Sequence, residues 1–226
     1  VGNASGYTNS LGSDTISIGS SALTLNTVSD NIAIGSFALD ANTTGTPNLA
    51  IGTNALGANS TSADSLAIGH NALLVNTAAS NLAIGSRALD ANTTGTTNLA
   101  IGVDALGANS TSTDTLAIGY NALLINTDAS NLAIGSRALD AKLTGTTKLA
   151  IGVDALGGNS NASNNLAIGF NALLVNNAPS NLAIGPRALD SNNTGTPNLA
   201  IGADALGAVT SGSDNIAIGV RALTLN

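Results

Sequence analysis

One short motif recurs through this chain at a nearly fixed interval, and that interval limits the folds open to it. Each copy reads Leu or Ile, then Ala, Ile and Gly, with Ser17 in place of Ala in the first. The closing glycines are Gly19, Gly35, Gly52, Gly69, Gly85, Gly102, Gly119, Gly135, Gly152, Gly169, Gly185, Gly202 and Gly219. Consecutive anchors lie 16 or 17 residues apart, and any three intervals sum to 50. The "VG" at Val1–Gly2 fits as one more truncated copy. Three unit types therefore alternate: A ("NLAIGSRALDANTTGTT" from Asn81), B ("NLAIGVDALGANSTSTD" from Asn98) and C ("TLAIGYNALLINTDAS" from Thr115).

A unit this short cannot hold a helix pair or a propeller blade. It fits one coil of a parallel β-solenoid. Alternation within "LAIG" puts Leu82 and Ile84 on one face and Ala83 on the other. The same rule pairs Leu89 with Ala91, and Leu123 with Ile125, in a second short strand. The anchor Gly and the two residues after it form a tight turn, and "NTTGTT" or "NSTST" forms the return loop. No i, i+3, i+4, i+7 stripe supports a helix. The expectation is an all-β, left-handed β-roll of about 14 coils, with Leu and Ile columns forming a thin dry core. It occupies residues 1–226 as one repeat domain with partial coils at both ends, a segment of a longer array or a subunit whose ends stack on neighbours.

Composition agrees with a core of small, uniform side chains. Cys, Met and Trp are absent, aromatics are 2% and charged residues 8%, yet 43% of residues are hydrophobic, too many for disorder. A net charge of −7 argues against a nucleic-acid groove or an anionic membrane surface. No apolar run is long enough to cross a bilayer as a helix. His70 is the only histidine, and there is no Glu, so a zinc site of ordinary type is excluded. Neither a nucleophile elbow nor a phosphate-binding glycine loop is present. These absences point away from an enzyme, a cofactor or a metal. Asp64, Asp114 and Asp214 read as solvated loop carboxylates, because the calcium-binding nonapeptide is missing. Asn3, Asn42, Asn59, Asn92, Asn109, Asn161 and Asn192 begin glycosylation sequons, which a chain rich in Asn, Ser and Thr also generates by chance.

Three outward features follow from the expected coil. An Ala column comprising Ala33, Ala50, Ala67, Ala83, Ala100, Ala117, Ala133, Ala150, Ala167, Ala183, Ala200 and Ala217 forms a flat strip. That strip either keeps the coil narrow or packs against other copies as a subunit interface. Stacking sets Arg87 over Asp104, Arg137 over Asp154 and Arg187 over Asp204, as ladder ion pairs or as a ligand stripe. Type C coils carry Leu74, Leu124 and Leu174, and His70, Tyr120 and Phe170, open to subunit packing or to ligand contact.

The phased "N-[LI]-A-I-G-x-x-A-L" motif resembles the head repeats of YadA-like trimeric autotransporter adhesins. It is also similar to "AIGxxAL" arrays in phage and other viral tail fibres. The resemblance covers essentially the whole chain. It implies a homotrimer of left-handed β-rolls, with Ala33, Ala50, Ala67, Ala83 and Ala100 near its axis. It implies an extracellular place on a bacterial surface or a virion, and a host surface protein or glycan as partner. Coils here are longer than in adhesin heads, and "AL" replaces a more polar half. A filament joined end to end and an ice-binding solenoid are the alternative functions. Against ice binding, "TTGTT", "STSTD" and "NTDAS" do not give an unbroken Thr column.

Overall fold

The computed structural model describes residues 2–7, 12–141, 144–158 and 161–224. Val1 of the expected first copy, and Leu225 and Asn226 of the expected final partial coil, lie outside them. The chain divides into two compact units, Val1–Asp114 and Thr115–Asn226. Both have the same architecture.

Thirteen short strands form a parallel β-solenoid, with no helix among the described residues. The first unit holds β1 (Ile16–Ile18), β2 (Asn31–Ile34), β3 (Asn48–Ile51), β4 (Ser65–Ile68), β5 (Leu82–Ile84) and β6 (Leu99–Ile101). The second holds β7 (Leu116–Ile118), β8 (Leu132–Ile134), β9 (Leu149–Ile151), β10 (Leu166–Ile168), β11 (Asn181–Ile184), β12 (Asn198–Ile201) and β13 (Asn215–Ile218). Within each unit, successive strands pair in register. Leu82, Ala83 and Ile84 of β5 sit against Leu99, Ala100 and Ile101 of β6, and β8 aligns identically with β9. The period read from the anchor glycines is thus the period of the stack.

Each coil has one strand rather than the expected two. The half containing "AL" is a run of turns, because two of its residues take left-handed backbone: Arg87 (φ 56°) and Leu89 (φ 52°) in the coil of β5, with equivalents in other coils. A left-handed residue at every second position breaks the extended conformation on which period-two alternation depends. Ala88 and Leu89, adjacent in sequence, are therefore both fully buried, and Ile125 is exposed instead of sharing the interior with Leu123.

The strand's facing is also reversed. Ala33, Ala83, Ala150 and Ala200 have no exposed surface, and Ala217 beside them is 2% exposed. Ile216 and Ile218, which flank Ala217, are 68% and 67% exposed. The expected core columns of Leu82 and Ile84 are partly exposed and point outward. The physical reason is volume. Each coil already encloses the Leu of its "AL" pair, the adjacent Ala and one or two Asn side chains. The remaining strand position can admit only a methyl group at interior packing density.

The anchor glycine is required twice over. Gly85 has φ 137°, a region closed to side chains, and a Cβ added there would lie 2.6 Å from the carbonyl carbon of Gly102 in the next coil. The glycine column is where successive backbones come into direct contact.

Candidate interaction surfaces

The reversed strand redraws the surface. The alanines expected at a subunit interface, Ala33, Ala50, Ala67, Ala83, Ala100, Ala117, Ala133, Ala150, Ala167, Ala183, Ala200 and Ala217, are all enclosed by their own chain and cannot touch a partner. In their place, each unit presents two parallel columns, Leu or Ile at the strand's first outward position and Ile at its second. This is a pleated sheet face of large aliphatic side chains without a charged residue on it.

The interior holds a feature that sequence reasoning missed. Asn26, Asn42, Asn59, Asn76, Asn92 and Asn109 stack as a fully buried amide column in the first unit. Asn42 Nδ2 donates to Asn26 Oδ1 at 2.7 Å, and Asn92 Nδ2 donates to Asn76 Oδ1 at 2.9 Å and to the Gly95 carbonyl at 2.9 Å. A second Asn column stands at the strand start in most coils, with Ser65, Thr115 and Lys148 in the same buried place at β4, β7 and β9. Asn98 donates to the Ser112 carbonyl at 2.8 Å, and its backbone N–H donates to Asn81 Oδ1 at 3.0 Å. Pairing offsets the cost of burying these amides; among the described residues only Asn31 Oδ1 and Asn181 Oδ1 are buried side-chain atoms without a partner. The signal lies in the sequence as Asn at fixed phase from the anchor glycine, inside segments whose Asn, Thr and Ser composition reads as return loop.

This column also sorts the sequons. Asn42, Asn59, Asn92, Asn109 and Asn192 are fully buried and closed to a glycan in the folded chain, whereas Asn3 and Asn161 are exposed. A hydroxyl column accompanies the amides, in which Ser interrupts Thr, so Thr itself does not run unbroken. Thr27, Thr43, Ser60, Thr77, Thr93 and Ser110 occupy equivalent positions in the first unit. Thr43 Oγ1 donates to the Ser60 carbonyl at 2.9 Å, and Thr93 Oγ1 to that of Ser110 at 2.9 Å. These hydroxyl protons are directed at the neighbouring coil.

All three expected ion pairs form. Arg87 Nε to Asp104 Oδ1, Arg137 Nε to Asp154 Oδ1 and Arg187 Nε to Asp204 Oδ1 each span 2.6 Å. In each, the second guanidinium nitrogen reaches the other carboxylate oxygen, so the pairs are forks. The arginines are about half exposed, so water and salt screen each pair. Asp204 is held below its ordinary pKa, chiefly by the hydrogen bond from Arg187.

Beside these forks, the type A aspartates behave oppositely. Burial raises the pKa of Asp40, Asp90, Asp140 and Asp190. The negative charge of Asp104 adds to the effect at Asp90, and that of Asp154 at Asp140, while the arginines oppose it. The same column explains the 50-residue period. Asp140, Gly157 and Leu174 occupy it in coils A, B and C, and a Cβ on Gly157 would lie 3.5 Å from Asp140 Oδ1 and 3.4 Å from Leu174 Cδ1. The glycine leaves room for its neighbours on both sides.

Tyr120 and Phe170 are 52% and 50% exposed, and His70 is exposed. Asp64, Asp114 and Asp214 are exposed, and no cluster of metal-binding side chains occurs among the described residues. No family model, characterised protein or solved structure matches the chain.

Proposed function

We propose that this chain is a non-enzymatic structural segment of an extracellular fibre, on a bacterial surface or a virion tail. Copies, three by the resemblance of the repeat, pack side by side through the Leu/Ile face, and the assembly serves attachment to a host surface. The observation that carries this reading is the uncharged Leu/Ile sheet face, left partly exposed while the interior is filled by Ala, Leu and Asn. A contiguous apolar patch of this kind is characteristic of a surface that is covered in use. A head-to-tail ring of three faces buries it equally in every copy.

Sedimentation equilibrium on the wild type and on a Leu82→Lys, Leu99→Lys variant tests the packing. The expected result is a trimer that becomes a monomer with an unchanged far-ultraviolet spectrum. A wild type that remains monomeric at high concentration, or a variant that keeps the same oligomer, overturns it. Binding of the intact oligomer to host cells or immobilised glycans tests attachment.

A further inference from the structure

The sequons differ at Nδ2, the amide atom to which a sugar bonds. In five of them both Nδ2 hydrogens are used inside the solenoid. Asn42 Nδ2 donates to Asn26 Oδ1 at 2.7 Å and to the Gly45 carbonyl at 3.0 Å. Asn59, Asn92, Asn109 and Asn192 each make the same two bonds, to an Asn of the preceding coil and to the carbonyl three residues on. The hydroxyl residues completing these sequons, Thr44, Thr61, Thr94, Thr111 and Thr194, are exposed. The fold therefore splits each sequon, with its hydroxyl outside and its amide within.

Asn161 is the opposite case. Type B units read "NSTSA" from Asn59 and "NSTST" from Asn109, but "NSNAS" from Asn159. The third unit has no sequon at the phase of Asn59 and Asn109, and has one two residues later, Asn161-Ala162-Ser163. That later phase faces outward: Thr61, Thr111 and Ser211 hold it in the other type B coils, and all are exposed, as Asn161 is. Thr144 Oγ1 in the coil before donates to Asn161 Oδ1 at 2.9 Å. The bond holds the amide by its oxygen and leaves Nδ2 without a partner among the described residues. Ser163 Oγ accepts from the Thr146 N–H at 3.1 Å, and its own proton is uncommitted among the described residues. Asn3 is exposed too, but the hydroxyl completing its sequon, Ser5 Oγ, donates to the Ser17 carbonyl at 3.0 Å.

We infer that Asn161 is the acceptor of an Asn-linked sugar on the folded chain. Its Nδ2 bonds to C1 of a sugar as the bond from C1 to a donor phosphate oxygen breaks. The phosphate leaves with that electron pair, and one amide proton passes to a base of the transferase. The donor is a sugar activated as a phosphate ester, nucleotide-linked or lipid-linked. A glycan is bulky and stays in solvent, which suits an outward residue of a return loop. The inference does not rest on the packing of copies, because Asn161 lies in the loop before β10 and not on the strand.

The test treats the folded full chain with a soluble asparagine glycosyltransferase and uridine diphosphate glucose, followed by peptide mapping. A hexose is expected on Asn161, a slower one on Asn3, and none on the five interior asparagines. A proteolytic digest of the chain, treated alike, should be modified at those five as well. Thr111→Asn copies the Asn161 arrangement into an earlier coil, with Thr113 completing the sequon, and should gain a hexose at position 111 with an unchanged far-ultraviolet spectrum. The same map on chain recovered from its native source should show a glycan on Asn161: one transferred whole marks a lipid-linked donor, and a single sugar a nucleotide-linked one. A folded chain bare at Asn161 while its digest is modified there overturns the proposal. So does modification of the interior sequons in the folded chain, a folded Thr111→Asn variant that gains nothing, or a native chain bare at Asn161.

Discussion

The backbones of Gly85 and Gly102 touch: a methyl group on Gly85 would lie 2.6 Å from the carbonyl carbon of Gly102, well inside van der Waals contact. Gly85→Ala meets both that backbone and a φ of 137°, neither of which yields locally. The expected cost is above about 3 kcal/mol, read as a shift of the denaturant midpoint. Gly157→Ala is the control. It meets the Asp154 carbonyl oxygen at 3.2 Å and the Leu174 side chain at 3.4 Å, its φ is not in the positive range, and its cost should be well below that of Gly85→Ala. Equal costs at the two positions would contradict the account of the glycine column.

The amide column predicts an unusual ranking at Asn92. Its Nδ2 donates twice, and its Oδ1 accepts from Asn109 at 3.3 Å. Asn92→Ala leaves partners unpaired and should cost about 1–3 kcal/mol. Asn92→Asp, nearly identical in shape, replaces the donor with a buried charge facing two oxygens and should cost more at neutral pH. Its deficit should shrink on acidification, as the carboxyl becomes neutral. Thermal melts of both variants at neutral and acid pH check the order.

How much of this was legible in the sequence divides along one physical line. The register was legible, because an in-register stack requires equal spacing of like residues, and the Arg87–Asp104, Arg137–Asp154 and Arg187–Asp204 forks followed from it. The facing of Ala83 was not. Alternation says that Ala83 and Leu82 oppose each other, and hydrophobicity favours enclosing the larger. Only the closed cross-section, already occupied by Leu89 and Asn92, makes Ala83 the interior residue. The missing second strand has a similar cause. Nothing in "RAL" announces that Arg87 and Leu89 adopt left-handed backbone, a conformation costly for Leu and retained by its complete burial and its hydrogen bond to the Ala105 carbonyl.

That reversal yields a paired prediction. Ala83→Leu forces three extra carbons into a filled interior and should destabilise the coil by about 1–3 kcal/mol or more. Leu82→Thr lies on the outer face and should change the stability of the isolated chain by much less, while weakening self-association. Denaturation with sedimentation on the same samples separates the two effects. A tolerated Ala83→Leu beside a disruptive Leu82→Thr would restore the opposite facing.

The aspartates predict greater stability on the acid side of neutrality. Asp40, Asp90, Asp140 and Asp190 have pKa values raised above the ordinary 3.8, first by burial. The fold therefore binds their protons more tightly than the unfolded chain does. Their contribution is fully present below 3.8 and is lost as pH rises through the raised values. Asp204 runs the other way, its stabilisation present above 3.8 and lost as pH falls through its lowered value. The melting temperature should climb as pH drops from neutral towards about 4 and decline below that. Asp90→Asn, which removes one buried charge permanently, should raise the neutral-pH melting temperature and reduce the gain on acidification. A melting temperature that falls steadily from neutral pH downward would show that burial of these carboxylates is not what governs their titration.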